Sequence, residues 1–284
     1  MPKPNSKPML MSKPCPEIER RFVATPSARI HIAMAGEGEP LLLLHQTPRS
    51  WDEYRDVLPL LGRHYRAIAM DTVGFGDSQA LPAGQDSIES WAACAFDLLD
   101  ALGLPEAALI GHHTGSAIAI EMAAARPERI PALVLSAPPY VDAARRAKYA
   151  DKAVIDGATP GADGAHLLAL WRMRQPFYPA GDIALLERFM IDALKAGRLA
   201  AEGHRVVNRY VMEARLPLLG CPTLVIAPTA DPHAYPVAGK VADAIAGASL
   251  VEIAGGMVPL PDQMPEAFTD AVLAFLEQHL PLRS

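Results

Sequence analysis

Residues 107–122 place a histidine at a position suited to chemistry. The run reads AALIGHHTGSAIAIEM, which predicts a buried strand, a tight turn and then an apolar helix. Gly111 and Gly115 lie two residues before and after His113, so the strand and the helix can pack closely around it. The apex of such a turn needs a strained, left-handed type of backbone, which histidine tolerates better than most non-glycine residues. An imidazole held at this apex could act as a general base, because its pKa lies near neutral pH.

The elements around this turn alternate between short apolar strands and helices from residue 21 onward. This alternation predicts an α/β fold with a mostly parallel sheet that helices cover on both faces. The predicted strands are Arg21–Ala24, Arg29–Ala35, Leu41–Leu44, Arg66–Met70, Ala107–Gly111, Ala132–Ser136, Thr223–Pro228 and Ser249–Ile253. The main predicted helices are Ser87–Leu102, a helix that ends near Ala125, and Met264–His279.

The amino-acid composition and charge of the chain argue against several classes of function. The 284 residues are 50% hydrophobic and carry a net charge of −6, which argues against nucleic acid or an anionic membrane as a partner. Three widely spaced cysteines imply no disulfide framework. The proline-rich first residues lack the apolar segment of a signal peptide, and no run approaches the length of a membrane span. We therefore predict a cytoplasmic protein that has no cofactor and no metal and binds a small molecule.

The pattern changes between the sixth and seventh predicted strands. Residues 138–219 are helical and rich in alanine, arginine and methionine, which predicts a helical lid over a core formed by residues 21–137 and 220–284. Residues 1–20 are predicted to be a flexible tail. Bulky side chains of the lid could roof a pocket, or most of them could simply pack between lid and core. The pocket candidates among them are Trp171, Phe177 and Tyr178.

Four segments together resemble one known family. Leu43–Pro48 (LLHQTP) resembles an H-G-x-P oxyanion loop, and Met70–Ser78 resembles a D-x-x-G-x-G-x-S turn. Arg126–Ile130 resembles a P-E-R-[VI] turn, and the turn at His113 resembles the G-x-S-x-G nucleophile elbow with histidine in place of serine. Residues 21–280 thus resemble the α/β-hydrolase superfamily from end to end. The resemblance implies the α/β-hydrolase fold with a helical lid inserted after the sixth strand, and it says little about substrate.

The resemblance also locates the remaining parts of a catalytic triad. The acid follows the strand Thr223–Pro228, where Asp231 lies, and the triad histidine is replaced by Met257. The family places its oxyanion hole at two backbone N–H groups, which here belong to Thr47 and Thr114. The pocket candidates beside this loop are Gln46, where glycine is usual, and His45, which commonly packs beneath it.

Two of the three triad residues are therefore replaced, and a different chemistry follows. An imidazole reaches further than a serine hydroxyl, so His113 could fill the space of the missing histidine and bond to Asp231. Such a dyad suits a general base facing an oxyanion hole, acting on a small, largely apolar carbonyl or ester compound. Hydrolysis by activated water and lyase, decarboxylase or isomerase chemistry both fit. Attack by His113 itself, through an acyl-imidazole, also stays open.

Non-catalytic interpretations of these residues are also open. His113 could mark a nucleophile position that has lost its catalytic function, in an inactive pseudoenzyme that binds a small molecule or a protein. Asp231 could be a turn residue, as aspartate before proline often is. A metal site is not expected, because consecutive positions such as His112 and His113 do not supply facing side chains. The sequence leaves open whether the chain forms a homodimer.

Overall fold

One eight-stranded sheet organises the chain in the computed structural model, which describes residues 15–157 and 159–280. The strands are β1 (Glu19–Ala24), β2 (Arg29–Ala35), β3 (Pro40–Leu44), β4 (Arg66–Met70), β5 (Ala108–His112), β6 (Leu133–Ser136), β7 (Thr223–Pro228) and β8 (Ser249–Ile253). Their order across the sheet is β1-β2-β4-β3-β5-β6-β7-β8. β1 pairs antiparallel with β2 and β2 with β4, and the other neighbours pair in parallel. The mostly parallel sheet that the sequence predicts is confirmed.

Helices cover both faces of this sheet. They are α1 (Leu58–Leu61), α2 (Ile88–Ala101), α3 (Thr114–Ala125), α4 (Ala143–Tyr149), α5 (Ala165–Arg174), α6 (Ile183–Ala196), α7 (Arg198–Arg209), α8 (Tyr235–Asp243), α9 (Leu260–Gln263) and α10 (Pro265–His279). Short 3-10 turns lie at Trp51–Tyr54, Pro127–Arg129, Gln175–Phe177, Met212–Ala214 and Leu216–Leu218. α2 and α3 pack on one face, and α1 and α10 on the other. Because both faces are covered, central strands such as β3 and β5 are continuous apolar runs rather than alternating ones.

The helices α4 to α7 all lie between β6 and β7, in the segment predicted to be a lid. Part of this segment has a small apolar cluster of its own, formed by α5, α6 and the turn between them. Charged contacts join it to the core as well. Asp192 of α6 accepts a hydrogen bond from Arg49 Nε at 2.8 Å, and Arg188 Nε donates to Asp52 at 2.6 Å. The segment is thus anchored to the loop after β3 by buried ion pairs.

The observed boundaries differ from the predicted ones in a few places. β1 begins at Glu19, so the last two residues of the predicted tail belong to the sheet, and residues 1–14 of that tail lie outside the described residues. Helix α8 was not predicted, because Pro236 and Gly239 interrupt its apolar pattern. Among the helices of the described ranges, none combines the length and apolar character that crossing a bilayer requires.

Candidate active site

The predicted turn at His113 lies between β5 and α3, at the carboxyl end of the sheet. His113 has φ 47° and ψ −109°, a backbone conformation that few side chains adopt. The neighbouring glycines leave no room for a side chain. A Cβ on Gly115 would lie 1.8 Å from the carbonyl oxygen of Leu44, and one on Gly111 would lie 2.4 Å from the carbonyl oxygen of Gly115. Close packing therefore holds the His113 backbone in this strained conformation.

The imidazole of His113 lies against the carboxylate of Asp231. Nε2 is 2.7 Å from Oδ2, and the Asp231 side chain is fully buried while that of His113 is 16% exposed. The ring N–H direction is bent away from this oxygen, so the pair has the separation of a hydrogen bond without its alignment. Asp231 Oδ1 also accepts backbone N–H bonds from His233 and Ala234 at 2.8 and 3.0 Å. Burial raises the pKa of Asp231, but nearby His113 and these donors outweigh it and hold the pKa well below its usual range.

Met257, where the resemblance places the triad histidine, is half-buried and does not separate His113 from Asp231. Its backbone N–H donates to Gln263 Oε1 at 2.7 Å. The next residue, Val258, accepts a 2.8 Å hydrogen bond from His112 Nε2. His112 is buried, and its ring meets that of His113 edge-on with centroids 4.7 Å apart. His112 is thus held by its own hydrogen bond and packs edge-on against the His113 ring.

The two N–H groups expected to form an oxyanion hole belong to neighbouring residues of the site. Thr114 is the first residue of α3, so its N–H has no partner within that helix. The N–H of Thr47 donates to the hydroxyl of Thr114 at 3.3 Å, which is a long and therefore weak bond. A substrate oxygen would have to replace that hydroxyl as the acceptor.

The residues before Thr47 are held by buried partners. Gln46 donates to Glu53 through both its backbone N–H (2.9 Å) and its side-chain amide (2.6 Å). Burial raises the pKa of Glu53 to about 8. His45 is also buried; its Nδ1 donates to the Gln46 carbonyl and its Nε2 accepts from the Thr72 N–H. These bonds fix the loop that follows β3 and turn the Gln46 amide toward Glu53.

A cavity of about 590 Å³ opens over this site. That volume suits a small organic ligand. Its polar lining includes Gln46, Thr47, His113, Thr114, His204 and His233. A depression of similar volume, about 630 Å³, lies at the opposite, amino-terminal edge of the sheet, next to Arg66 and Gly36. Because no histidine lines that depression, we place the chemistry in the first cavity.

Other predicted pocket residues lie elsewhere. Tyr178 is buried in the apolar cluster of the helical segment, and Trp171 packs against that cluster, so neither belongs to the cavity lining among the described residues. Phe177 approaches the site only through His233, with ring centroids 4.8 Å apart. His45 is enclosed beneath the loop and also lies outside the lining. Of the two alternatives stated for the bulky side chains, Trp171 and Tyr178 thus follow the packing one, and the helical segment contributes to the cavity wall through α4, residues 153–155 and α7.

Sequence reasoning missed His204, a cavity-lining histidine of α7. Its partner Asp156 is 48 positions away in the chain, so no local motif marks the pair. The available signal was weak: a histidine and an aspartate within a segment otherwise rich in arginine and alanine.

The one cluster with metal-ligand spacing among the described residues is His31, Asp71 and Asp77. Its polar groups already have protein partners. Asp71 accepts from His31 Nδ1 at 2.8 Å and from the Asp77 N–H at 2.9 Å, and Lys195 donates to Asp77 at 2.6 Å. These hydrogen bonds explain why the three side chains lie close together.

Comparisons with known proteins agree with this architecture. Residues 39–204 match the sequence model of a family described as alpha/beta hydrolase fold. The chain is 36% identical over 123 residues to a 2-hydroxymuconate semialdehyde hydrolase of Pseudomonas sp. (strain CF600), covering 42% of this chain and 43% of that protein. It is 39% identical over 95 residues to a soluble epoxide hydrolase of Corynebacterium sp. (strain C12), covering 34% and 33%. The matched stretch therefore spans less than half the length of these curated relatives. A solved structure of a hydrolase from Pseudomonas aeruginosa PA01 superposes with a TM-score of 0.76 at 27% identity, covering 91% of this chain and 98% of that one.

Proposed function

The chain belongs to the α/β-hydrolase fold family, and from that premise we propose that it is an enzyme that uses His113 and Asp231 as a general-base dyad. The observation that carries the proposal is the 2.7 Å approach of His113 Nε2 to the buried Asp231 carboxylate. A carboxylate at this distance favours the Nε2–H tautomer and leaves Nδ1 as the basic nitrogen. No serine nucleophile is available at this turn, so the base acts on water.

The reaction that we propose is hydrolysis of a carbonyl substrate. His113 takes a proton from water as the water oxygen attacks the carbonyl carbon, and the carbonyl oxygen gains the negative charge. The N–H groups of Thr47 and Thr114 stabilise that charge. Lyase chemistry would use the same groups with a substrate C–H or O–H in place of water.

Two features of the free site need substrate to complete them. The His113 N–H is poorly aligned with Asp231, and the Thr47 N–H is engaged by the Thr114 hydroxyl. Catalytic hydrogen bonds in free enzymes are often long or poorly aligned and tighten in the substrate complex. The same two features favour the alternative function, a pseudoenzyme that binds a small molecule in this cavity without turning it over.

The cavity supports a small substrate with an apolar body. Apolar residues of its wall are Val154, Ile155, Val207, Val237 and Val258. Arg145, Lys148 and Lys240 add cationic side chains to the same wall, so a test panel should include esters that carry a carboxylate.

The experiment is turnover of p-nitrophenyl acetate, butyrate and hemisuccinate, with the intact mass of the protein measured after rapid acid quench. We expect multiple turnovers above the buffer rate and no acyl adduct on the protein, because water is the nucleophile. Turnover with an acyl group trapped on His113 would replace the base mechanism by acyl-imidazole chemistry. Rates equal to buffer on all three esters, with saturable ligand binding, would favour the pseudoenzyme.

A further inference from the structure

A second histidine–aspartate pair lines the same cavity from the helical segment. His204 Nε2 lies 2.8 Å from Asp156 Oδ2, and Arg174 Nε donates to Asp156 Oδ1 at 2.7 Å. The side chains of Asp156 and Arg174 are 0% and 5% exposed, whereas that of His204 is 22% exposed. The imidazole is therefore the member of this group that a ligand in the cavity would meet.

The partners of His204 determine which of its nitrogens is free. Although burial opposes ionisation, Arg174 and His204 lower the pKa of Asp156 to about 2, so this carboxylate is ionised and can only accept. His204 Nε2 must then carry the proton that it donates to Asp156, and the 3.2 Å approach of Arg174 Nη2 to Nε2 is a contact rather than a bond. Nδ1 has no protein partner in the described part of the chain and remains available to a ligand.

Close packing of α7 on the oxyanion loop places His204 near the reacting atoms. Gly203, the residue before it, lies directly against Thr47, and a Cβ there would be 2.5 Å from Thr47 Cγ2. His113 comes from the core and His204 from the helical segment, and both line one cavity. The two imidazoles thus approach a bound substrate from different parts of the chain.

We propose that His204 is a second catalytic residue, the general acid that protonates the leaving group. This inference rests on the proposed hydrolysis. His113 takes one proton from water, and the new C–O bond forms as the carbonyl π electrons move to oxygen. When the intermediate collapses, the carbonyl π bond re-forms and the bond to the leaving oxygen breaks with its electron pair. His204, in the imidazolium form that solvent protonation of Nδ1 produces, gives that oxygen the proton on Nδ1. One proton has entered His113 and one has left His204, so exchange with solvent restores both residues.

The surroundings of His204 set the pH range of this role. Burial lowers its pKa, Asp156 opposes that effect, and Arg174 and His113 lower the pKa further. The protonated form is accordingly a stronger acid than free imidazolium, and its population grows as the pH falls below 6.5.

Leaving-group dependence tests the role. A nitrophenolate leaves without protonation, whereas an alkoxide does not, so only the alkyl ester needs an acid. The comparison uses the ethyl and p-nitrophenyl esters of one acyl group. His204→Gln should lower the kcat/KM of the ethyl ester relative to that of the p-nitrophenyl ester by about 10²-fold. His166→Gln, in α5 of the same segment and outside the cavity lining, is the matched control and should keep the native ratio.

The native protein supplies a second readout that needs no variant. The ethyl-to-nitrophenyl ratio should rise as the pH falls below 6.5, because the lowered pKa of His204 means that it gains its proton below that pH, and the ratio should be flat in His204→Gln. A flat native ratio, or an equal loss on both esters in His204→Gln, overturns the role of His204 alone if His113→Ala still lowers turnover strongly. Unchanged turnover in His113→Ala, or no turnover of any ester by the native protein, overturns the proposed function and this inference together.

Discussion

Replacing His113 with alanine is expected to lower kcat/KM on activated esters by about 10²–10⁴-fold. The imidazole is the only general base that contacts Asp231 through its side chain among the described residues, and the neighbouring His112 is committed to Ser136 and Val258. His233 lines the cavity, but it reaches Asp231 only through its backbone N–H. The other cavity histidine with a carboxylate partner is His204, which pairs with Asp156 and is proposed above to act on the leaving group rather than on water.

The backbone at position 113 calls for a second variant. Alanine at φ 47° is strained, so part of any loss could come from a distorted turn. His113→Asn is the second variant, because asparagine tolerates positive φ better than alanine does and carries no imidazole. His279→Ala, an exposed histidine of α10, is the control for loss of a histidine as such. Retention of more than half the native rate in both His113 variants would remove His113 from the reaction.

Replacing Arg49 with leucine should destabilise the fold by about 3–5 kcal/mol, measured as the free energy of unfolding in denaturant. Arg49 is fully buried and pairs with Asp192 of α6 at 2.8 Å, with Asp52 at 3.3 Å and with Asp262 of α9. Removing the cation leaves several carboxylates without their buried partner. Arg55→Leu, in the same turn but 51% exposed, should change stability by less than about 1 kcal/mol.

The loss of stability in Arg49→Leu should depend on pH. Burial raises the pKa of Asp262 to about 6 even though Arg49 and Arg188 lower it. Without Arg49 that pKa rises further, so the folded variant binds a proton that the unfolded chain has already released. The difference in unfolding free energy between native protein and Arg49→Leu should therefore be larger at pH 8 than at pH 5. An equal difference at both pH values would mean that the carboxylates find other partners.

The fold was predictable because its signals are local. Runs such as Leu41–Leu44 are buried on both faces, and the glycines around His113 are required by contacts with the adjoining strand. β4 and β7 have the predicted boundaries. The helix α8 was missed because proline and glycine interrupt its pattern.

The site was predictable only where a motif spans it. His113 and Asp231 follow from the positions of strand ends, and the structure places them in contact. The pairing of His204 with Asp156 lies within the helical segment, and that of Arg49 with Asp262, 213 positions apart, lies within the core; each depends on how elements distant in sequence dock on one another. The periodicity of apolar residues along the sequence does not report such tertiary contacts.

The most direct test of the central claim is a double-mutant cycle of His113→Ala and Asp231→Asn, with kcat/KM measured on one activated ester. Two residues that act as a unit are strongly non-additive. We predict that the double variant is no slower than His113→Ala alone, and that Asp231→Asn keeps its melting temperature close to the native value because asparagine can still accept the backbone N–H bonds of His233 and Ala234. Losses that multiply in the double variant, or a native rate in Asp231→Asn, would contradict the dyad.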